Sequence, residues 1–242
     1  PVWEPLLIYA LGTLWYGLFN WFWFWIWREQ PLRESLSLLY RELADYCEAK
    51  YSLLTQHTDP EKALPPLLVR QQKAVDLITQ CYQQMHMLSA QNNTDYKRML
   101  RIFQEALDLQ EHISVSLHQP EEVQKLVERS HAEEVIRWNA QTVAARLRVL
   151  ADDILYHRLP TRFTMEKQIG ALEKIARQHP DNPVGQFCYW HFSRIARVLR
   201  TQKPLYARDL LADKQRRMPL LPALKSYLSL KLQRYAMPDD SV

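Results

Sequence analysis

The sequence contains very little glycine, with four residues in 242. This scarcity argues against folds that depend on glycine turns, such as nucleotide-binding α/β sheets and hairpin-rich barrels. The three cysteines are too few and too scattered for a disulfide framework. Zinc-protease, phosphate-loop and nucleophile-elbow motifs are also absent from the sequence. We therefore predict a protein that is not an enzyme and that uses no cofactor and no metal ion.

Charge is missing from one long segment near the start of the chain. Pro5–Trp27 carries no charged side chain, although Glu4 precedes it and Arg28 follows it. As a helix this segment reaches roughly 35 Å, enough to cross a hydrocarbon core of about 30 Å. A signal peptide would begin with basic residues, and an amphipathic surface helix would carry a charged face. We therefore predict one transmembrane helix within residues 1–29, with a lipid bilayer as its partner.

The second half of this segment is rich in tryptophan. Indole rings favour the headgroup level of a bilayer, where the apolar ring and the polar N–H are both satisfied. A ligand site built from aromatic rings is the alternative interpretation. The residues that we assign to a membrane-interface belt are Trp15, Trp21, Trp23, Trp25, Trp27 and Arg28. Because Arg28, Arg33 and Arg41 follow the uncharged segment, the positive-inside rule places the C-terminal side in the cytoplasm.

The rest of the chain has a helical pattern. Leucines and a tyrosine recur there at steps of three and four, which places them on one helix face. These residues are Leu32, Leu36, Leu39, Leu43 and Tyr46. Short connections between long amphipathic helices favour antiparallel neighbours. The predicted fold class is all-α, with one transmembrane helix followed by a cytoplasmic antiparallel helical bundle over residues 30–231.

Prolines and polar clusters mark the expected breaks between these helices. The first helix after the uncharged segment is expected to end near Leu54, and Pro65–Pro66 are expected to restart the next one. Pro120 predicts a helix that runs as far as Arg158. Residues 92–95 form another break, after which Leu100, Phe103, Leu107 and Ile113 mark a helix. The remaining predicted helices are 165–179, 184–200, a short one from Pro204, and a last one opened by Pro219 and Pro222.

Two sequence clusters could carry chemistry, but both favour packing. One groups four soft metal ligands, Cys81, Met85, His86 and Met87. No paired cysteine or second histidine lies near enough in the sequence to complete four ligands for zinc or copper(I). In the other, Cys188 and His191 are three residues apart, a spacing at which a thiolate and an imidazole can meet on a helix. The aromatic residues that flank this pair favour packing in the core.

A run of basic residues near the end of the chain predicts a surface that faces anionic lipid. Its members are Arg194, Arg197, Arg200, Lys203, Arg208, Lys214, Arg216 and Arg217. Basic residues near an anionic bilayer contribute about 1 kcal/mol each. A solvated helix face and a nucleic-acid site are the alternatives. Because the chain is expected to be tethered to a membrane, we predict lipid contact and no nucleic-acid partner.

Several segments of the sequence resemble a known family of membrane proteins. They are Trp23–Glu29 followed by Pro31–Leu36, then Arg129–Val135 and Leu205–Leu211. Together they resemble the YccS/YhfK group of inner-membrane proteins of Gram-negative bacteria, over Pro1 to about Lys231. That group is similar to the fusaric-acid-resistance and aromatic-acid exporter family. The resemblance implies two membrane bundles separated by a cytoplasmic domain, an inner-membrane location, and export of a small molecule that is unknown. It supplies no catalytic or binding residues.

The resemblance and the pattern together define the expected function. The chain is expected to be an excerpt of a longer exporter-like protein, with 1–29 as the last helix of a first membrane bundle. Residues 30–231 would form a cytoplasmic domain that serves homo-oligomerisation or coupling. The tail 232–242 departs from the family pattern. The alternative is a membrane-anchored interaction scaffold without transport activity.

Overall fold

The computed structural model describes the chain as a series of α-helices. The described residues are 3–26, 29–55, 60–88, 94–114, 125, 127–128, 132–156, 158 and 163–217, excluding the side chains of 4–5, 24–26, 60–61, 94–95 and 201–217. The helices are α1 Trp3–Ile26, α2 Gln30–Thr55, α3 Pro60–Leu88, α4 Thr94–Ser114, α5 Glu133–Leu155, α6 Glu166–Gln178 and α7 Pro183–Arg217. No β-strand occurs among these residues, which confirms the predicted all-α class.

Helix α2 lies at the centre of the packed helices. It packs most extensively against α5, and then against α3 and α4. All five residues of the predicted stripe on this helix, from Leu32 to Tyr46, are buried in the core. Helix α7 packs against α4 and α6 on another side of the bundle. The period of 3.6 residues therefore identified the core face of α2 correctly.

Helix α1 differs from the other helices because its side chains remain outside the core. Every side chain described between Trp3 and Trp23 is exposed. Among the described residues, no helix has both the length and the mean hydropathy of a membrane span. The mean hydropathy of α1 therefore does not support the transmembrane helix that we predicted for Pro5–Trp27. Tryptophan and tyrosine, which carry polar N–H and O–H groups, occupy positions where a span usually has aliphatic residues.

Three prolines that we expected at helix starts lie inside continuous helices. Helix α3 begins at Pro60 and passes through Pro65 and Pro66, and both of these are exposed. Helix α7 continues through Pro204 to Arg217. Each proline removes one backbone donor, so the carbonyl four residues earlier loses its helical partner. At Pro65 and Pro66 the exposed surface lets water satisfy those carbonyls, and the helix is not interrupted.

The other predicted boundaries agree to within a few residues where the structure describes them. Helix α2 ends at Thr55, and the helix predicted for 165–179 is α6 at Glu166–Gln178. The prediction of one helix from Pro120 to Arg158 is wrong, because Ala132 is not helical and α5 runs from Glu133 to Leu155; Pro120 itself lies outside the described residues. The helix opened by Pro219 and Pro222 and the tail 232–242 also lie outside them.

Candidate functional site

The aromatic belt predicted from the sequence lies on α1. Its described members, Trp15, Trp21 and Trp23, are all exposed. The rings of Phe19 and Trp23 are stacked, with their centroids 6.0 Å apart. The side chain of Trp25, and both Trp27 and Arg28, lie outside the described residues. The helix therefore presents aromatic rings around its circumference instead of burying one face in the bundle.

Three basic residues near the end of the chain have described side chains, and these lie in two different environments. The guanidinium group of Arg194 lies 4.3 Å from the centroid of the Trp190 ring, in a cation–π contact. Arg197 and Arg200 instead line a cavity beside the start of α6. The side chains of the remaining predicted members, Lys203, Arg208, Lys214, Arg216 and Arg217, lie outside the described residues. The described part of the run is thus divided between two environments.

A buried polar centre joins α2, α4 and α7. Lys50 is only 5% exposed, and its ammonium group donates a hydrogen bond to the carbonyl of Ile113 in the last turn of α4. A cation at this position also interacts favourably with the helix dipole. Beside it, the rings of Tyr51 and Phe192 pack with their centroids 4.6 Å apart. The lysine therefore caps α4 from inside the core.

Burial controls the protonation of this polar centre. Desolvation lowers the pKa of Lys50 to about 8, although the neighbouring thiols act in the opposite direction. Burial raises the pKa of Cys47 and of Cys188 to about 12, and the charge of Lys50 offsets only part of that effect. Both thiols therefore remain protonated at neutral pH. A thiolate nucleophile does not form in this environment.

Cys188 and His191 lie in the core, as their aromatic neighbours predicted. His191 is 1% exposed, and its ring centroid lies 4.3 Å from that of Phe187 and 5.6 Å from that of Trp190. An interaction with the backbone of His112 on α4 acts to raise the pKa of His191, but it is outweighed by burial. Desolvation, followed by the charge of Lys50, lowers the pKa of His191 to about 4. The imidazole is therefore neutral at physiological pH and packs as an aromatic ring.

The soft-ligand cluster on α3 is divided between two sides of the helix. Cys81 and Met85 are buried, whereas His86 and Met87 are exposed. Burial raises the pKa of Cys81 to about 12, so this thiol is protonated. Among the residues that the structure describes, no three His, Cys, Asp or Glu side chains are grouped closely enough to hold a metal ion.

A charged groove between α2, α3 and α5 was not predicted from the sequence. The Nη2 of Arg148 lies 2.7 Å from carboxylate oxygens of both Asp45 and Glu48. Arg70 reaches from α3 to Glu42 and Asp45, at 3.4 and 3.3 Å. The cavity at this junction has a volume of about 380 Å³. Glu42, Asp45 and Glu48 follow each other at steps of three, and this spacing was the one available sequence signal for the groove.

Comparison with known proteins gives a result for most of the chain. A family model described as FUSC-like inner membrane protein yccS matches residues 1–210. This range includes α1–α6 and most of α7. No solved structure matches the chain.

Proposed function

The chain belongs to the FUSC-like inner membrane protein yccS family, and on that basis we propose that it is the membrane-attached helical domain of an exporter-type protein. In this proposal α1 contacts the bilayer, and α2–α7 form a domain that assembles copies of the protein or couples its movements. The family match supports the inner membrane as the location. Export of a small molecule is the activity of the whole protein that this domain would serve.

The contrast between α1 and the other helices is the observation that carries the proposal. The side chains described on α1 are exposed, whereas α2–α7 share one hydrophobic core. Removing one large apolar side chain from water contributes roughly 1.5–3 kcal/mol. A helix that exposes so many aromatic and aliphatic residues is therefore strongly driven into an apolar environment. In an inner-membrane protein, that environment is supplied by lipid or by neighbouring membrane helices.

We place the helical domain on the cytoplasmic side. Arg33 and Arg41 lie close after α1, in agreement with the positive-inside rule. The cysteines Cys47, Cys81 and Cys188 are buried, free thiols, which fits a reducing compartment. We also propose a role without catalysis. The pair that could have formed a nucleophile, Cys188 and His191, is neutral and packed among aromatic rings.

Membrane contact by α1 can be tested with two leucines of equal exposure. Leu18 on α1 and Leu38 on α2 are each 53% exposed. Arginine at the centre of a membrane-inserted helix costs about 2.5–3.5 kcal/mol. We expect Leu18→Arg to reduce retention of the chain in carbonate-washed membranes and to weaken quenching of its tryptophans by brominated lipid. Leu38→Arg is the control and should change neither measurement. Equal retention of both variants would contradict the proposal.

The exporter role can be tested in cells. We expect deletion of the gene to increase sensitivity to aromatic acids, and the wild-type gene to restore resistance. Complementation by a gene encoding Leu18→Arg should be weaker than by one encoding Leu38→Arg. Unchanged sensitivity after deletion, together with recovery of protein partners, would favour a scaffold without transport activity.

The surface of α3 supports that scaffold as a second candidate and also offers a contact for homo-oligomers. Large apolar side chains are exposed along this helix, at Leu64, Leu68, Val69, Val75 and Tyr82. Leu68, Val75 and Tyr82 are seven residues apart, which places them on one stripe. Crosslinking through cysteines introduced on this stripe would separate the two roles, because homo-oligomers give self-crosslinks and a scaffold gives crosslinks to other proteins.

A further inference from the structure

A small cavity lies where the start of α6 meets α7. Its volume is about 250 Å³. The residues that line it are Phe163, Thr164, Met165, Glu166, Ile169, Ser193, Ala196, Arg197 and Arg200. Ser193, Ala196, Arg197 and Arg200 follow the spacing i, i+3, i+4 and i+7, so they share one face of α7. The cavity is therefore built by one helix face and the N-terminal end of another helix.

The cavity has a positive balance of charge. Arg197 and Arg200 line it from α7, while Glu166 in the first turn of α6 is the one acidic residue in its wall. The guanidinium group of Arg146 lies 5.2 Å from the centroid of the Phe163 ring, but the buried carboxyl group of Asp153 offsets its charge. Arginine suits oxyanions because its planar group donates several hydrogen bonds in fixed directions. The charged groups here favour an anionic ligand.

Two kinds of neutral donor also belong to residues that line the cavity. The hydroxyl oxygen of Ser193 is buried and has no hydrogen-bond partner among the described residues. Helix α6 begins after Met165, whose side chain cannot cap it, and no side-chain cap is formed. The first N–H groups of a helix have no partner within the helix, and they attract negative charge. A buried hydroxyl without a partner carries a cost that a bound ligand would remove.

The first turn of α6 is held in place from the core. Asn139, which is fully buried on α5, donates its side-chain amide to the carbonyls of Val135 at 2.8 Å and Gln168 at 3.1 Å. This bridge fixes the start of α6 against α5. The backbone donors at the start of α6 are therefore positioned before any ligand arrives, which reduces the ordering cost of binding, whereas the side chains of Arg197 and Arg200 are exposed.

We infer that this cavity binds a phosphate-type oxyanion, either free phosphate or the headgroup of an anionic lipid. A tetrahedral oxyanion offers several acceptor oxygens, which matches guanidinium, hydroxyl and backbone N–H donors that approach from different elements. The apolar side chains of Phe163, Ile169 and Ala196 leave room beside the donors for the carbon part of a larger ligand. The site does not depend on membrane contact by α1.

The test compares two arginines that are three residues apart on α7. Arg197 lines the cavity, whereas Arg194 stacks on Trp190 and does not line it. The probes are inorganic phosphate, titrated against the full chain in phosphatidylcholine nanodiscs, and vesicles with or without phosphatidylglycerol. We expect Arg197→Gln to weaken binding at least about tenfold, as the loss of a charge-assisted hydrogen bond implies. Arg194→Gln should bind within about twofold of wild type by the same reasoning.

The two probes identify the source of the oxyanion. Saturable phosphate binding that Arg197→Gln removes supports a free ligand. A preference for phosphatidylglycerol that Arg197→Gln removes, without phosphate binding, supports a lipid headgroup. Ser193→Ala, which deletes only the hydroxyl, should weaken the same binding and keep the helical circular dichroism of wild type. Equal losses in Arg194→Gln and Arg197→Gln, or no saturable binding of either probe, would overturn the site. Membrane retention through α1 is measured with phosphatidylcholine alone. Its result therefore does not depend on the preference for phosphatidylglycerol that tests this cavity.

Discussion

The buried lysine at the end of α4 makes a quantitative prediction. Desolvation lowers the pKa of Lys50 from 10.5 to about 8 in the folded protein. The folded state therefore binds fewer protons than the unfolded state between these two pH values, and stability rises with pH across that window. The complete shift corresponds to about 3 kcal/mol, at 1.36 kcal/mol for each pKa unit. Between pH 7.5 and pH 9 the expected gain from this group is about 1 kcal/mol.

Lys50→Met removes the titrating group and keeps a side chain of similar length. The variant also leaves the carbonyl of Ile113 without its buried donor, which costs about 1–3 kcal/mol, but this cost does not vary with pH. We expect the free energy of unfolding of the wild type, measured with urea in mild detergent, to rise from pH 7.5 to pH 9 relative to the variant. The cysteines of the unfolded chain ionise over the same range, with an ordinary pKa of about 8.5, but they do so in both proteins and their effect largely cancels in the comparison.

The control is Lys174→Met on α6, because Lys174 is exposed. Its unfolding free energy should follow the wild type at both pH values. If the wild type and Lys50→Met change in parallel between pH 7.5 and pH 9, Lys50 does not lose its proton more easily in the fold than in the unfolded chain. The burial argument for this residue would then be refuted.

Three further predictions concern the core. Because burial lowers the pKa of His191 to about 4, the wild type should lose about 2 kcal/mol of stability between pH 7 and pH 5 relative to His191→Phe, measured by urea unfolding, and equal slopes would contradict this. Leu43→Ala, at the centre of the α2 stripe, should destabilise the domain by about 2–5 kcal/mol in the same assay, whereas a loss below 1 kcal/mol would show that the site is not tightly packed. Cys47 and Cys188 should react with a thiol reagent only after unfolding, and rapid labelling of the native chain would show that the polar centre is open to solvent.

Sequence periodicity predicted the helices and the buried face of α2 because both depend on local spacing. Proline was a less reliable guide, since Pro65, Pro66 and Pro204 lie inside helices where one lost hydrogen bond is tolerated. The burial of Lys50 could not be read from its neighbours, because its acceptor, Ile113, is 63 residues away in the chain. A lysine on an amphipathic helix is usually solvated, and only tertiary packing shows otherwise.

The sites depended even more on long-range contacts. The charged groove pairs Arg148 with Asp45 across 103 residues, so the spacing of Glu42, Asp45 and Glu48 on α2 could not by itself identify their partners. The basic run near the end of the chain was visible as a composition. The sequence did not show that the described arginines of this run lie in two environments. The position of Trp190 and the start of α6 decide which arginine lines the cavity. The prediction that this run faces an anionic ligand stays a prediction, and the fold determines which of its side chains line the cavity.

The length of α7 has a mechanical consequence. At 35 residues it is a rod about 52 Å long, whereas α2, at 26 residues, is about 39 Å long. Its first half is clamped by α4 and α6, and it continues as one helix to Arg217. A tilt of about 5° around that clamp moves the far end, which is about 26 Å beyond it, by only about 2 Å. Slight repacking beside α6 therefore displaces the far end of α7 by less than half of a helical turn.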